Sequence, residues 1–193
     1  MSIESEFIYN FGPEGIMPAG GGRAEFPKGP VRVKLLSGGW SKSNVKDSKT
    51  EGVRVQIQAV EAGHGMATEI VGLTVEDFIN GPSSNDFSEE TTEGRGNRAR
   101  VAEFKAFLLC FGLSAEQVRA VFGQQKLSFI GLGLLNREGV IYNEPSIPGK
   151  QRDFAEIQWI SPDRAVDCMA GRYVPKSKKA GQLEREANRA QGT

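Results

Sequence analysis

Residues 31–35 read VRVKL and residues 53–59 read VRVQIQA, and both stretches alternate strictly between apolar and polar side chains. Alternation with a period of two is typical of a β-strand with one buried face. The lysine-rich connection between the two stretches favours an antiparallel hairpin. Its buried face is predicted to carry six apolar residues: Val31, Val33, Leu35, Val53, Val55 and Ile57.

The middle of the chain departs from this strand pattern. A third strand is predicted at residues 68–73, and a long, mobile acidic loop at residues 76–97. Apolar residues at helical spacing then predict a main helix over residues 98–111. Ser114 followed by Gln117 has the form of a capping box, which predicts a second, short helix.

Strands return in the last third, where the pattern predicts them at residues 127–135, 139–142 and 153–160. Strands interrupted by helices predict a mainly β (β+α) fold, an antiparallel barrel or curled sheet with a helix at one end. The chain of 193 residues then consists of one domain at 29–174, a flexible N-terminal arm at 1–28 and a C-terminal tail at 175–193.

The side chains that most enzymes need are scarce. His64 is the single histidine, it is flanked by glycines, and Cys110 and Cys168 lack the spacing of zinc ligands. The glycine-rich stretches lack the lysine and hydroxyl residue of a phosphate-binding loop. The longest apolar run, residues 106–111, is too short to cross a bilayer. We therefore expect a cytoplasmic, non-enzymatic protein with no catalytic residues, metal or cofactor.

Charge is segregated along a chain whose 24 basic and 24 acidic residues balance. Residues 28–54 hold seven basic residues against two acidic ones, whereas residues 61–96 hold eight acidic residues against one arginine. A strand with Arg32 and Lys34 beside a strand with Arg54 predicts a row of cations on the outer face of the hairpin. Such a row suits a polyanionic backbone, although an ordinary solvated sheet face carries similar residues.

Aromatic residues near these cations are candidate stacking platforms for nucleobases. Trp40 lies in a basic, glycine-flanked stretch, where it either stacks on a base or folds back onto the core. Phe154 is predicted on a strand surface, whereas Trp159 is predicted in the core. Tyr142, at a strand end, fits either environment.

The order of these segments also matches a known family. The segments are GPVRVKL at 29–35, the lysine-rich loop, VRVQI at 53–57, the apolar helix FKAFLLCFGLS at 104–114 with a short acidic-capped helix after it, and a hairpin at 139–160 entered by KQR at 150–152. In this order the sequence resembles the single-stranded DNA-binding proteins encoded by bacteriophages. The resemblance implies an OB-like barrel that binds single strands without sequence preference. An acidic C-terminal tail, common in that family, is not matched here.

The resulting hypothesis is a protein that protects exposed DNA strands in phage-type replication or recombination, in a bacterial host cytoplasm. Its partners would be single-stranded DNA, further copies along the strand and replication proteins, but no membrane. The alternative is a structural or assembly protein of a virion or filament. The residues expected to bind nucleic acid are Arg32, Lys34, Trp40, Lys42, Lys46, Arg54, Tyr142, Lys150, Arg152 and Phe154.

Overall fold

The computed structural model describes residues 25–42, 51–121, 132–146 and 155–177. Five strands form one antiparallel sheet in the order β3-β2-β1-β4-β5. The elements, in chain order, are β1 Gly29–Lys42, β2 Glu51–Ala62, a 3-10 helix Thr68–Ile70, β3 Thr74–Asn80, α1 Thr92–Cys110, α2 Ala115–Val121, β4 Glu138–Glu144, β5 Glu156–Ile160 and α3 Pro162–Met169.

The predicted hairpin of β1 and β2 is confirmed and forms the centre of the sheet. All six residues predicted on its inner face are at most 1% exposed. Burial of branched apolar side chains on one face of paired strands is the main stabilising contribution of such a sheet. Strand β1 is longer than its alternating pattern, because residues 36–42 continue it with a glycine pair and Trp40.

The third strand lies later than predicted. Residues 68–70 form a 3-10 helix, and Gly72, at a φ of 92°, closes the turn that follows it. The strand is β3, which pairs with β2 and buries Val75 and Ile79 on the inner face. Because β3 carries Glu76 and Asp77 among its apolar residues, its composition concealed the strand pattern.

The acidic loop predicted at residues 76–97 is consequently wrong at both ends. Strand β3 continues to Asn80, and α1 begins at Thr92, whose preceding residue Thr91 accepts a hydrogen bond from the Gly94 amide at 2.9 Å as the N-cap. The segment between them, residues 81–91, is bound to α1 through Asn97, which is fully buried.

Both predicted helices are confirmed, although the first begins six residues before the predicted position. Phe104 and Phe107 of α1 pack against the inner face of the sheet together with Phe111, the residue that ends the helix. The Phe107 ring meets the Trp159 ring edge-on at 5.0 Å. The capping box before α2 is present: the Gln117 amide donates to Ser114 Oγ at 3.2 Å, and the Ser114 amide donates to Gln117 Oε1 at 2.9 Å.

The last third of the chain differs from the prediction in two respects. Of the strand expected at residues 127–135, residues 132–135 form turns instead, while residues 127–131 lie outside the described residues. Helix α3 was not predicted, because Pro162 was interpreted only as the end of a strand, whereas proline is also favoured in the first turn of a helix. The strand expected at 139–142 lies within β4, and the one expected at 153–160 is observed as β5 from Glu156, while residues 153 and 154 lie outside the described residues.

Helix α3 covers the outer face of β4 and β5 with a second apolar cluster around Cys168. The main core fills the inner face, and α3 also contacts β1, the central strand of the sheet. The described strands form an open sheet with β3 and β5 as its edges, so the predicted closure into a barrel is wrong.

The boundary predicted for the N-terminal arm also needs correction. Phe26 is 1% exposed and belongs to the main core, and its carbonyl accepts a hydrogen bond from Asn143 Nδ2. The Glu25 carboxylate accepts bonds from the Ser146 amide and hydroxyl, at 3.0 and 2.7 Å. Residues 25–28 are therefore part of the domain, and the rest of the predicted arm, like residues 178–193 of the tail, lies outside the described residues. None of the described helices combines the length and the apolar character needed to span a membrane.

Candidate nucleic-acid interface

The cations predicted to form a row on the hairpin do not converge. Arg32 lies opposite Glu61, whereas Arg54 lies opposite Gly39, seven positions further along β1. At about 3.3 Å per residue, the two arginines lie about 20 Å apart along the strand direction. Arg54 therefore lies apart from Arg32 and Lys34, and the three cations do not form the continuous row that the sequence predicts across the two strands.

Each of these arginines also has a carboxylate partner. Arg32 Nε lies 2.7 Å from Glu61 Oε2, and Arg54 Nη1 forms an ion pair with Glu76. The Arg54 guanidinium additionally lies over the Phe78 ring, 5.7 Å from its centroid, and donates to the Lys42 carbonyl at 3.3 Å. With 9% of its surface exposed, Arg54 braces three strands and has little surface to offer a ligand.

Lys34 and Tyr142 are also less accessible than an exposed surface residue. Lys34 is half-buried and pairs in register with Gln58 on one side and Glu138 on the other. Tyr142 is 7% exposed and belongs to the cluster beneath α3, which shields its ring from stacking with a base. Nucleic-acid binding by these residues of the sheet face stays a prediction.

Trp40 lies on the opposite face of the sheet from these arginines because of a β-bulge. Leu35 pairs with Ile57 and Ser37 with Gln56, so Leu36 is an extra residue in β1. One extra residue exchanges the faces of all residues beyond it relative to strict alternation. Trp40 consequently lies opposite Val53, on the same face as the core, at the end of the hairpin.

The Trp40 side chain is fixed in place and yet accessible. Its indole Nε1 donates to Glu51 Oε2 at 3.2 Å, and its six-membered ring lies against Gly81. The side chain is nevertheless 39% exposed, far more than the 7% of Trp159. A large aromatic group that is both anchored and accessible is suited to stack on another planar group.

Lys42 is the described cation that lies beside this ring. It is exposed at the end of β1, on the same face as Trp40, and is opposite Glu51. The chain continues through residues 43–50, which include Lys46 and Lys49. Four of the predicted binding residues, Lys46, Lys150, Arg152 and Phe154, lie outside the described residues.

Two thiols and a lysine in the described segments have pKa values raised by their surroundings. Burial raises the pKa of the Cys110 thiol to about 12 and that of the Cys168 thiol to about 11, so neither supplies a thiolate at neutral pH. The Glu144 carboxylate, 2.8 Å from Lys28 Nζ, raises the pKa of that lysine. Within the described parts of the chain, no three His, Cys, Asp or Glu residues are grouped as metal ligands.

Glu51 and Gly81, the two residues that hold Trp40, were not among the predicted site residues. Their contribution depends on the pairing of β1 with β2 and of β2 with β3, which places all three residues at one end of the sheet. The sequence indicates this contact with Trp40 only weakly, since an acidic residue in a basic stretch is ordinarily interpreted as a solvent-exposed residue.

Comparison of the chain with protein-family models, with curated proteins and with solved structures gives no match.

Proposed function

We propose that this chain binds single-stranded DNA without sequence preference, and that the end of the β1–β2 hairpin, rather than the sheet face, makes the contact. The observation that carries the proposal is the anchored and exposed indole of Trp40. Every base has a π-face, so stacking on such a ring is tolerant of sequence and contributes about 1–3 kcal/mol per base.

The charges near Trp40 support the same ligand. Lys42 is exposed beside the ring, and Lys46 and Lys49 follow within seven residues. Lysines near a stacking residue attract the phosphates on either side of the stacked base. Contacts of this kind release counterions, so we expect the affinity to fall steeply as the salt concentration rises.

The family resemblance extends the proposal to the fold and the biological role. Five antiparallel strands are the number found in an OB-fold, which supports an OB-like relationship even though the described sheet is open. In this proposal the protein protects exposed strands during phage-type DNA replication or recombination in the host cytoplasm. Further copies along the strand and replication proteins are its proposed partners.

The test is a fluorescence-anisotropy titration of a labelled oligothymidine at two salt concentrations. We expect Trp40→Ala to weaken binding by about 5- to 150-fold, the loss of one stacked base. Lys42→Ala should weaken binding less and reduce the slope of log affinity against log salt by about 0.7, one phosphate contact. Arg32→Ala is the matched control, because that cation is paired with Glu61 and lies on the opposite face of the sheet. Lack of binding by the unmodified protein at low salt would refute the proposal.

A second candidate function, a structural or assembly protein, is favoured by the two edges of the sheet. Neither β3 nor β5 has a second neighbouring strand among the described residues, and an exposed edge can pair with another subunit. Analytical ultracentrifugation over a range of protein concentrations tests this candidate. Large assemblies in the absence of DNA would support it, whereas a monomer that binds oligothymidine would contradict it.

A further inference from the structure

The position of the Trp40 ring is set by two contacts that lie at the end of the sheet. Glu51 is a diagonal neighbour of Trp40, because Trp40 pairs with Val53 and Lys42 pairs with Glu51. Diagonal neighbours on one face are within reach of long side chains, which explains the 3.2 Å hydrogen bond from the indole to the carboxylate. The bond restrains rotation of the ring about its χ angles.

Gly81 forms the second contact and limits how close the ring approaches the backbone. Gly81 is the residue after β3, and its backbone amide donates to the Glu51 carbonyl at 2.8 Å, which holds it beside the first residue of β2. A Cβ atom at position 81 would lie 2.8 Å from Trp40 Cη2 and 2.7 Å from that carbonyl oxygen. The ring therefore packs on bare backbone, and this contact depends on the absence of a side chain.

A carboxylate beside a site for a polyanion is unfavourable on electrostatic grounds alone. At a separation of a few ångströms, the Glu51 charge repels phosphates that Lys42 attracts. Its presence next to the exposed ring is explained if the hydrogen bond that it accepts contributes more to binding than its charge removes. Restraining a side chain before binding reduces the entropy that is lost when the ligand binds.

We propose that Glu51 is a positioning residue of this interface, which acts on the nucleic acid through Trp40 by holding the indole in the orientation that stacks. This inference rests on the proposed function and names the residue that organises the same site. The role requires a hydrogen-bond acceptor at this position but does not require a negative charge. That difference separates positioning from electrostatics experimentally.

The experiment compares Glu51→Gln with Glu51→Ala in the oligothymidine titration. The amide oxygen of glutamine can still accept the indole hydrogen bond, and both substitutions remove the charge. We expect Glu51→Gln to bind at least as tightly as the unmodified protein, and Glu51→Ala to bind about three- to tenfold more weakly than Glu51→Gln. Glu69→Ala controls for loss of an exposed carboxylate elsewhere and should leave the affinity within about twofold.

The outcomes distinguish failure of this inference from failure of the proposed function. Equal affinity of Glu51→Gln and Glu51→Ala, in a protein whose binding is weakened by Trp40→Ala, would overturn the inference alone. The difference between the two Glu51 variants should also disappear in a Trp40→Ala background, because Glu51 acts only through the ring. A difference that persists in that background contradicts the positioning role. No binding by the unmodified protein refutes both proposals.

A measurement without DNA provides a second readout. The chain has two tryptophans, and Trp159 is 7% exposed, so quenching of fluorescence by acrylamide reports mainly on Trp40. Loss of the restraint in Glu51→Ala should increase the quenching constant, and Glu51→Gln should leave it unchanged. Quenching that is the same in both variants would show that Glu51 does not hold the ring.

Discussion

The fully buried side chain of Asn97 joins the segment 81–91 to helix α1, and its removal should clearly destabilise the protein. Asn97 Oδ1 accepts from the Ser83 amide at 2.9 Å, and Nδ2 donates to the Asp86 carbonyl at 2.8 Å and to Ser84 Oγ at 3.1 Å. Asn97→Ala leaves the two backbone groups without these partners. Each lost bond contributes about 1 kcal/mol net, and a buried orphan group adds to the loss.

The expected decrease in the free energy of unfolding is therefore about 2–3 kcal/mol. For a domain of this size, about 2–4 °C of melting temperature is lost per kcal/mol, which corresponds to a decrease of roughly 4–12 °C. Urea denaturation followed by circular dichroism measures the free energy, and a thermal scan measures the melting temperature. Asn97→Asp should be at least as destabilising, since it keeps the acceptor but removes both donor hydrogens and introduces a charge at a site with 0% exposure.

Asn80→Ala is the matched control, because Asn80 is an exposed asparagine at the end of β3 and the chemical change is identical. It should change the free energy of unfolding by no more than about 0.5 kcal/mol. A loss below about 1 kcal/mol for Asn97→Ala, or an equal loss for Asn80→Ala, would refute the argument that Asn97 holds this segment.

Three further predictions concern stability and thiol chemistry. Gly96→Ala should raise the free energy of unfolding by about 0.5–1 kcal/mol, because nothing lies within 4 Å of a Cβ atom there and alanine favours the α1 helix; a loss of stability in urea denaturation would contradict this. Gly139→Ala should lower it by about 1–3 kcal/mol, since its Cβ would lie 2.5 Å from Cys110 Sγ, and an unchanged denaturation midpoint would show that the contact can relax. Both cysteines should resist a thiol reagent at pH 8 until the protein unfolds, and rapid modification of the native protein would contradict the burial of both thiols. The free energy of unfolding should also fall as pH rises from about 9 toward 12, because the thiols ionise at a lower pKa in the unfolded chain than in the folded protein.

Elements with a clear period could be predicted from the sequence, and those concealed by composition could not. The β1–β2 hairpin and α1 were correct because their apolar residues recur at the spacing of a strand and of a helix. Strand β3 was assigned to a loop because two acidic residues lie in its centre, where Glu76 is neutralised by Arg54 of the neighbouring strand. That ion pair forms because β2 and β3 are neighbours in the sheet, and the spacing of apolar residues in the sequence does not reveal which strands are neighbours.

The candidate site could be predicted from the sequence only in part, because the pairing partners of its basic residues are not visible there. Trp40 and Lys42 were identified from the sequence as an aromatic residue beside a cation, and they do lie side by side. Arg32 and Arg54 were grouped with them on charge alone, but pairing places their guanidinium groups against Glu61 and Glu76. Whether a basic residue is available to a ligand depends on its cross-strand neighbour.

The bulge at Leu36 gives the hairpin a tolerance for changes in length. Strand β1 contains one residue more there than the pairing on either side requires, so deletion of Leu36 would make the pairing regular at this point and leave the remaining side chains on their present faces. A second deletion would transfer the end of the strand, with Trp40, to the face that carries Arg32. Related chains are thus expected to differ in length by one residue at this point of β1. In an alignment of such chains, the residues should be matched so that the aromatic residue lies on the same face of the sheet.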